Sequence, residues 1–84
     1  MEALDGNAIG GLLFEVFGVE MTTATGVCAH CGAAGEVATL VVYLRAPGTV
    51  VRCRSCGEVV AVIVDRRSVK CVDLRGLEAL EHAD

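Results

Sequence analysis

Four of the five cysteines in this 84-residue sequence fall into two units of one form, Cys28-Ala29-His30-Cys31-Gly32 and Cys53-Arg54-Ser55-Cys56-Gly57, with 21 residues between Cys31 and Cys53. Two thiolates three positions apart in a tight turn can reach one ion, and the glycine that follows accepts the conformation in which backbone N–H groups point at sulfur. Two such turns complete a tetrahedron, so Cys28, Cys31, Cys53 and Cys56 are the expected ligands of a single metal ion. The separation slightly exceeds the roughly 15 to 20 residues usual for the pattern, a difference that one longer hairpin absorbs. Zinc is the expected metal. Iron in a rubredoxin-like site is the alternative, because tetrahedral thiolates accept both; iron carriers of that type usually have an aromatic core, and this chain offers only Phe14, Phe17 and Tyr43. With all four sulfurs engaged, no coordination position stays open to water, which makes the site structural.

Other uses of these cysteines fit less well. Nothing points to an oxidising compartment, and five cysteines leave one over, which disfavours disulfides. A thioredoxin-like motif wants one Cys-x-x-Cys at a helix N-terminus, whereas both units here are followed by glycine and strand-like sequence. His30 lies between two ligands and is expected to be an exposed knuckle residue. Cys71, in Ser68-Val69-Lys70-Cys71-Val72-Asp73-Leu74, is expected to pack as a small hydrophobe in the core or an interface. No nucleophile stands beside a base, no glycine loop is built for phosphate and no carboxylates pair in a helix register, so no residue is assigned catalysis and an enzyme is not expected.

The elements that must hold the cysteines follow from periodicity. Ile9, Leu12, Leu13, Val16 and Phe17 form one apolar helical stripe within residues 7–17, with Asp5 or Asn7 to cap it and Gly18 to end it. Gly10 and Gly11 weaken that helix by roughly 1 kcal/mol each relative to Ala, so packing must hold it, with its backbone close to another element. Val19 to Thr25 reads as a short strand, Glu36 to Leu44 as a long one closed by the Arg45-Ala46-Pro47-Gly48 turn, and Thr49 to Cys53 as its return. Glu58 to Val64, a turn at Asp65-Arg66-Arg67-Ser68 and Val69 to Leu74 complete the strands, and Leu77 and Leu80 suggest a short C-terminal helical turn.

Knuckle, hairpin, knuckle, hairpin is the layout of a zinc ribbon. The expected fold is therefore a small metal-bound β-rich (α+β) domain: a zinc-ribbon antiparallel sheet with an N-terminal helix over residues 1–18, the ribbon over 19–75 and a short tail over 76–84. Leu4-Asp5-Gly6-Asn7, the Gly11-Leu12-Leu13 helix, Phe17-Gly18-Val19-Glu20-Met21-Thr22, the two knuckles, Tyr43-Leu44-Arg45-Ala46-Pro47-Gly48 and Asp73-Leu74-Arg75-Gly76-Leu77 together resemble a family of small bacterial proteins of unknown function, abundant in actinobacteria and expected to be zinc ribbons. The resemblance runs over nearly the whole chain. It implies metal binding by Cys28, Cys31, Cys53 and Cys56 and brings no activity with it.

Charge and hydropathy bear on partners. The net charge is −4, yet residues 1–44 hold five acids and no base, while all seven bases lie within residues 45–75. Arg45, Arg52, Arg54, Arg66, Arg67 and Lys70 are candidates for a nucleic-acid surface, a reading disfavoured by the net charge, the negative tetrathiolate centre and the scarcity of aromatics for stacking. Apolar residues make up 54% of the chain, and Leu40 to Leu44 and Val59 to Val64 are apolar on both faces, so both faces of the sheet need cover. The helix supplies one cover. A protein partner, in the simplest case a second copy in a homodimer, is expected for the other. No run approaches the roughly 20 apolar residues of a membrane span, and the start Met1-Glu2-Ala3-Leu4-Asp5 lacks the basic region of a secretory signal. Cytoplasmic residence is expected.

Overall fold

Asp5 opens the folded chain in the way its type allows. Its carboxylate accepts the Asn7 N–H at 3.1 Å and caps a 3-10 turn over Gly6–Ile9, which leads directly into helix α1, Gly10–Phe17. The helix ends at Gly18 with φ 76° and a return bond from Gly18 N–H to the Phe14 carbonyl. This is the predicted helix, with its first turn tightened. Gly10 does sit close to a neighbour, Thr22, whereas Gly11 faces open space. The computed structural model describes residues 3–45, 48–67 and 69–82; Ala46, Pro47 and Ser68, with parts of two predicted turns, lie outside them.

Among the described residues, eight strands follow an all-antiparallel plan in two sheets. The larger sheet has the order β1-β4-β5-β6-β7, built from Leu4–Asp5, Val41–Arg45, Gly48–Arg52, Val59–Arg66 and Val69–Asp73. The smaller has the order β3-β2-β8, built from Ala34–Glu36, Thr25–Cys28 and Leu77–Glu81. A single ribbon sheet was expected; the structure divides it, with one knuckle in each sheet. The helix, the 3-10 turn and the inner face of the larger sheet enclose the core, in which Ile9, Leu13, Met21, Ala24, Val37, Val42, Val51, Val60, Ala61 and Ile63 are buried. Lys70 Nζ lies 3.3 Å from a Glu15 carboxylate oxygen and fastens α1 to β7.

Four further expectations are corrected. Residues 19–24 form turns instead of a strand, because the Glu20 carboxylate accepts the Thr22 N–H at 2.7 Å and the Thr22 and Thr23 hydroxyls, while Met21 and Ala24 turn inward. Val37–Thr39 is a 3-10 turn ahead of β4, held by the Val37 N–H on Ala24 O and the Ala38 N–H on Thr22 O, each at 2.8 Å. The tail is strand β8, not a helical turn: it pairs with β2 through Thr25↔Glu81, Gly26↔Leu80, Val27↔Ala79 and Cys28↔Leu77. Cys71 is exposed on β7, so it is no core residue.

The outer face of the larger sheet carries the cross-strand row Tyr43, Val50, Val62 and Asp73, with Val64 beside Cys71 in the next row. Tyr43, Val50, Val62 and Val64 all remain half-buried there. Val42, Val51, Ala61 and Ile63 on the other face are buried, so the apolar excess of β4 to β6 is divided between a covered face and an open one.

Candidate metal centre

Each knuckle is built by the same three backbone contacts. In the first, Cys28 N–H donates to Ala33 O and Gly32 N–H donates back to Cys28 O, both at 2.9 Å, and His30 N–H points at Cys28 Sγ at 3.4 Å. In the second, Cys53 N–H donates to Glu58 O at 2.8 Å, Gly57 N–H donates to Cys53 O at 3.0 Å, and Ser55 N–H points at Cys53 Sγ at 3.4 Å. Gly32 and Gly57 have φ of 77° and 78°, the left-handed conformation that side chains resist. The glycine after each second cysteine therefore lets the chain turn back, with its N–H bonded to the carbonyl of the first.

Register shifts precede both knuckles. One lies between Val27 and Cys28 in the β2–β8 pair, the other between Val51 and Arg52 in the β5–β6 pair. Bulges of this kind re-aim a strand end, and here they bring two strand ends from different sheets together. Cys28 and Cys53 come out buried, Cys31 and Cys56 exposed.

All four sulfurs lie within 4.8 Å of one another. Cys28 Sγ stands 3.7 Å from Cys56 Sγ, and Cys31 Sγ 3.7 Å from Cys53 Sγ. A tetrahedron of metal–sulfur bonds of about 2.3 Å has edges of about 3.8 Å, so the thiol positions fit a four-sulfur ion. None of the five cysteines is in a disulfide. Cys28, Cys31, Cys53 and Cys56 thus lie close enough together to bind one metal ion.

Electrostatics also call for a cation. The backbone N–H groups of Cys56 and Ser55 help hold the Cys53 thiol down to about 6, whereas at Cys56 the Glu58 backbone contact is outweighed by desolvation and the three neighbouring thiols, which push it up to about 12. At Cys31 the Ala33 backbone contact is likewise outweighed, and the thiol is raised by desolvation and by Cys53 and Cys28. The Cys53 thiolate forms readily while those of Cys31 and Cys56 are resisted; a divalent ion bound to the sulfurs removes that conflict.

Gly76 is the site residue that sequence reasoning missed. Its carbonyl accepts the Ala29 N–H of the first knuckle at 2.9 Å, and a Cβ on it would stand 2.3 Å from Val59 O and 2.4 Å from Val60 Cα, next to the second. The signal available was an isolated glycine just past a strand-like segment, a residue type used where backbones approach closely. His30 is exposed, as expected, and lines a shallow hollow with Val62, Asp73 and Arg75.

The basic candidates are distributed along the larger sheet. Arg45 closes β4, and Arg52 closes β5 with its guanidinium donating to Gly57 O at 2.9 Å and lying 5.9 Å from the centroid of the Tyr43 ring. Arg54 is exposed on the second knuckle, while Arg66 and Arg67 lie at the far end of β6, with Arg67 at φ 49°. Strand rise separates those two ends by roughly 20 Å. No described helix is long and apolar enough to cross a membrane.

The chain matches the model of a family of unknown function (DUF6510) over residues 1–84. No curated protein and no solved structure matches the chain.

Proposed function

We propose, on the premise that the chain belongs to the DUF6510 family of unknown function, that it is a structural zinc-ribbon protein acting as a protein-interaction module. The observation that carries this reading is the set of four thiols within 4.8 Å, contributed by knuckles on two separate sheets. A four-thiolate ion leaves no open position for substrate, so its work is to hold the sheets together. Structural zinc supplies an apparent free energy of about 10–16 kcal/mol in finger peptides, comparable to the whole stability of a domain at about 5–15 kcal/mol.

The half-buried outer face of Tyr43, Val50, Val62 and Val64 supports the interaction part of the reading, since a sheet face of this composition is a surface on which another protein can dock. Nucleic-acid binding stays second to it, because Arg54 and the Arg66-Arg67 pair stand at opposite ends of β6 and do not form one patch.

The test is metal content and visible absorption of protein purified from cells grown in iron-supplemented medium, followed by thermal unfolding with and without chelator. One equivalent of zinc in a colourless protein whose midpoint falls on chelation is expected. A red protein with one equivalent of iron replaces zinc with the rubredoxin-like carrier, and a metal-free protein of unchanged midpoint overturns the structural-metal reading.

A further inference from the structure

Strand β7 is the least protected sheet edge among the described residues. An edge strand presents a row of backbone N–H and C=O groups that another strand can take up. Strands β1 and β3 have only two and three residues, and β8 carries Glu78 and Glu81 among its five. Strand β7 has five residues, with Val69 62% and Val72 37% exposed and Cys71 exposed at its centre. Its one base is neutralised within its own chain: Lys70 Nζ lies 3.3 Å from Glu15 and 3.6 Å from Asp65. No described strand pairs with its free side.

We infer that a second copy of this chain pairs with β7 edge to edge and antiparallel, joining the two five-stranded sheets into one, with Cys71 opposite Cys71 of the second copy. The inference rests on the reading of the chain as an interaction module and names its partner. Symmetry and charge select the register. A twofold axis normal to the sheet keeps the two outer faces continuous and must pass through a residue paired with itself. Centring on Lys70 would set two like charges opposite each other. Centring on Val72 would leave only part of the strand paired. Centring on Cys71 engages all of β7, with Val69 opposite Asp73 and Lys70 opposite Val72.

That register also complements charge. Asp73 pairs with Val62 and Val69 with Arg66 inside one chain. Across the axis the row therefore runs Val62, Asp73, then Val69 and Arg66 of the second copy, which sets a base one valine away from Asp73. The adjoining row brings Val64 and Cys71 of both copies into one apolar band. Opposed residues of antiparallel strands have Cα atoms roughly 4.5–5.5 Å apart, so a side chain at position 71 meets its own copy directly.

Sedimentation velocity on the zinc-loaded, reduced protein at about 100 µM tests the pairing. A dimer is expected for the wild-type chain and for Cys71→Ser. Cys71→Arg, which opposes two guanidinium groups, and Val69→Asp, which opposes two carboxylates, are expected to weaken it at least tenfold; Val69→Lys, placed against Asp73, is expected to keep it. Circular dichroism and zinc content of each variant verify that it folds. A wild-type monomer overturns the pairing, as does a dimer indifferent to Cys71→Arg and Val69→Asp. A monomer holding one equivalent of zinc overturns the pairing alone and leaves the metal centre standing.

Discussion

The Ala29 backbone N–H donates to the Gly76 carbonyl at 2.9 Å, fastening the turn between β7 and β8 to the first knuckle. On its other side Gly76 lies against Val59 and Val60, where the larger sheet leaves the second knuckle. One residue without a side chain is thus wedged between the two halves of the metal centre. Gly76→Ala forces backbone apart on one side, and overpacking of this kind costs about 1–3 kcal/mol. A fall in thermal midpoint of roughly 5–20 °C is expected, read by circular dichroism with zinc saturating. An unchanged midpoint would mean that the wedge bears no stress.

Cys53→Ser removes the thiol held down to about 6 and replaces it with a hydroxyl that does not ionise. Loss of stoichiometric zinc and of the near-ultraviolet signal is expected, because the zinc contribution of about 10–16 kcal/mol is as large as the fold it supports. Retention of the wild-type midpoint would contradict a structural role for the ion. Cys71→Ser, outside the cluster, is expected to bind zinc as the native chain does.

Metal loading should be coupled to protons in a defined direction. With Cys56 pushed up to about 12 and Cys31 also raised, both are thiols at pH 7.5 in the metal-free site, while Cys53, at about 6, is already a thiolate. Binding zinc as four thiolates therefore releases at least two protons at that pH, and a further one from Cys53 once the solution falls below about 6. Calorimetry in buffers of different ionisation enthalpy measures the number; release of fewer than two would refute this assignment. Affinity accordingly falls as pH falls, more steeply below 6 than above it.

Asp73 gives a separate titration. Hydrogen bonds from the Arg75 side chain and backbone N–H hold its carboxyl down to about 2, and the Arg75 Nη2 contact is 2.7 Å. The folded-state value lies below the unfolded one, so the stabilisation is present above the ordinary carboxylate range and is lost as pH falls from about 4 toward 2. Both groups are exposed, and salt should screen the effect. Arg75→Ala is expected to return the Asp73 midpoint, followed by carboxyl-carbon NMR, toward its ordinary value of 3.8.

The four ligands were legible because their chemistry depends on local spacing, and each knuckle is closed by bonds within five residues of its first cysteine. Helix α1 and strands β4 to β7 were legible from periodicity. Strand β8 was not. Leu77 and Leu80 are three apart, which suits one face of a helix, and in a regular strand they would point to opposite sides. The register shift between Val27 and Cys28 makes Glu78 the extra residue, so Leu77 and Leu80 both reach the core opposite Cys28 and Gly26. The same device buries Val60 and Ala61 side by side in β6. Bulges are set by the pairing partner, and the partner of β8 lies far upstream in the chain. The separation of the knuckles onto two sheets escaped the sequence for the same reason.

That separation bears on how the chain reaches its native state. Strand β2 must find β8 across 48 intervening residues, the kind of distant pairing that slows folding because the intervening loop has to be closed first. An ion held between Cys28 and Cys56 closes 27 of those residues beforehand. Bound before β8 pairs, the metal would act as a tether that shortens the remaining loop to be closed.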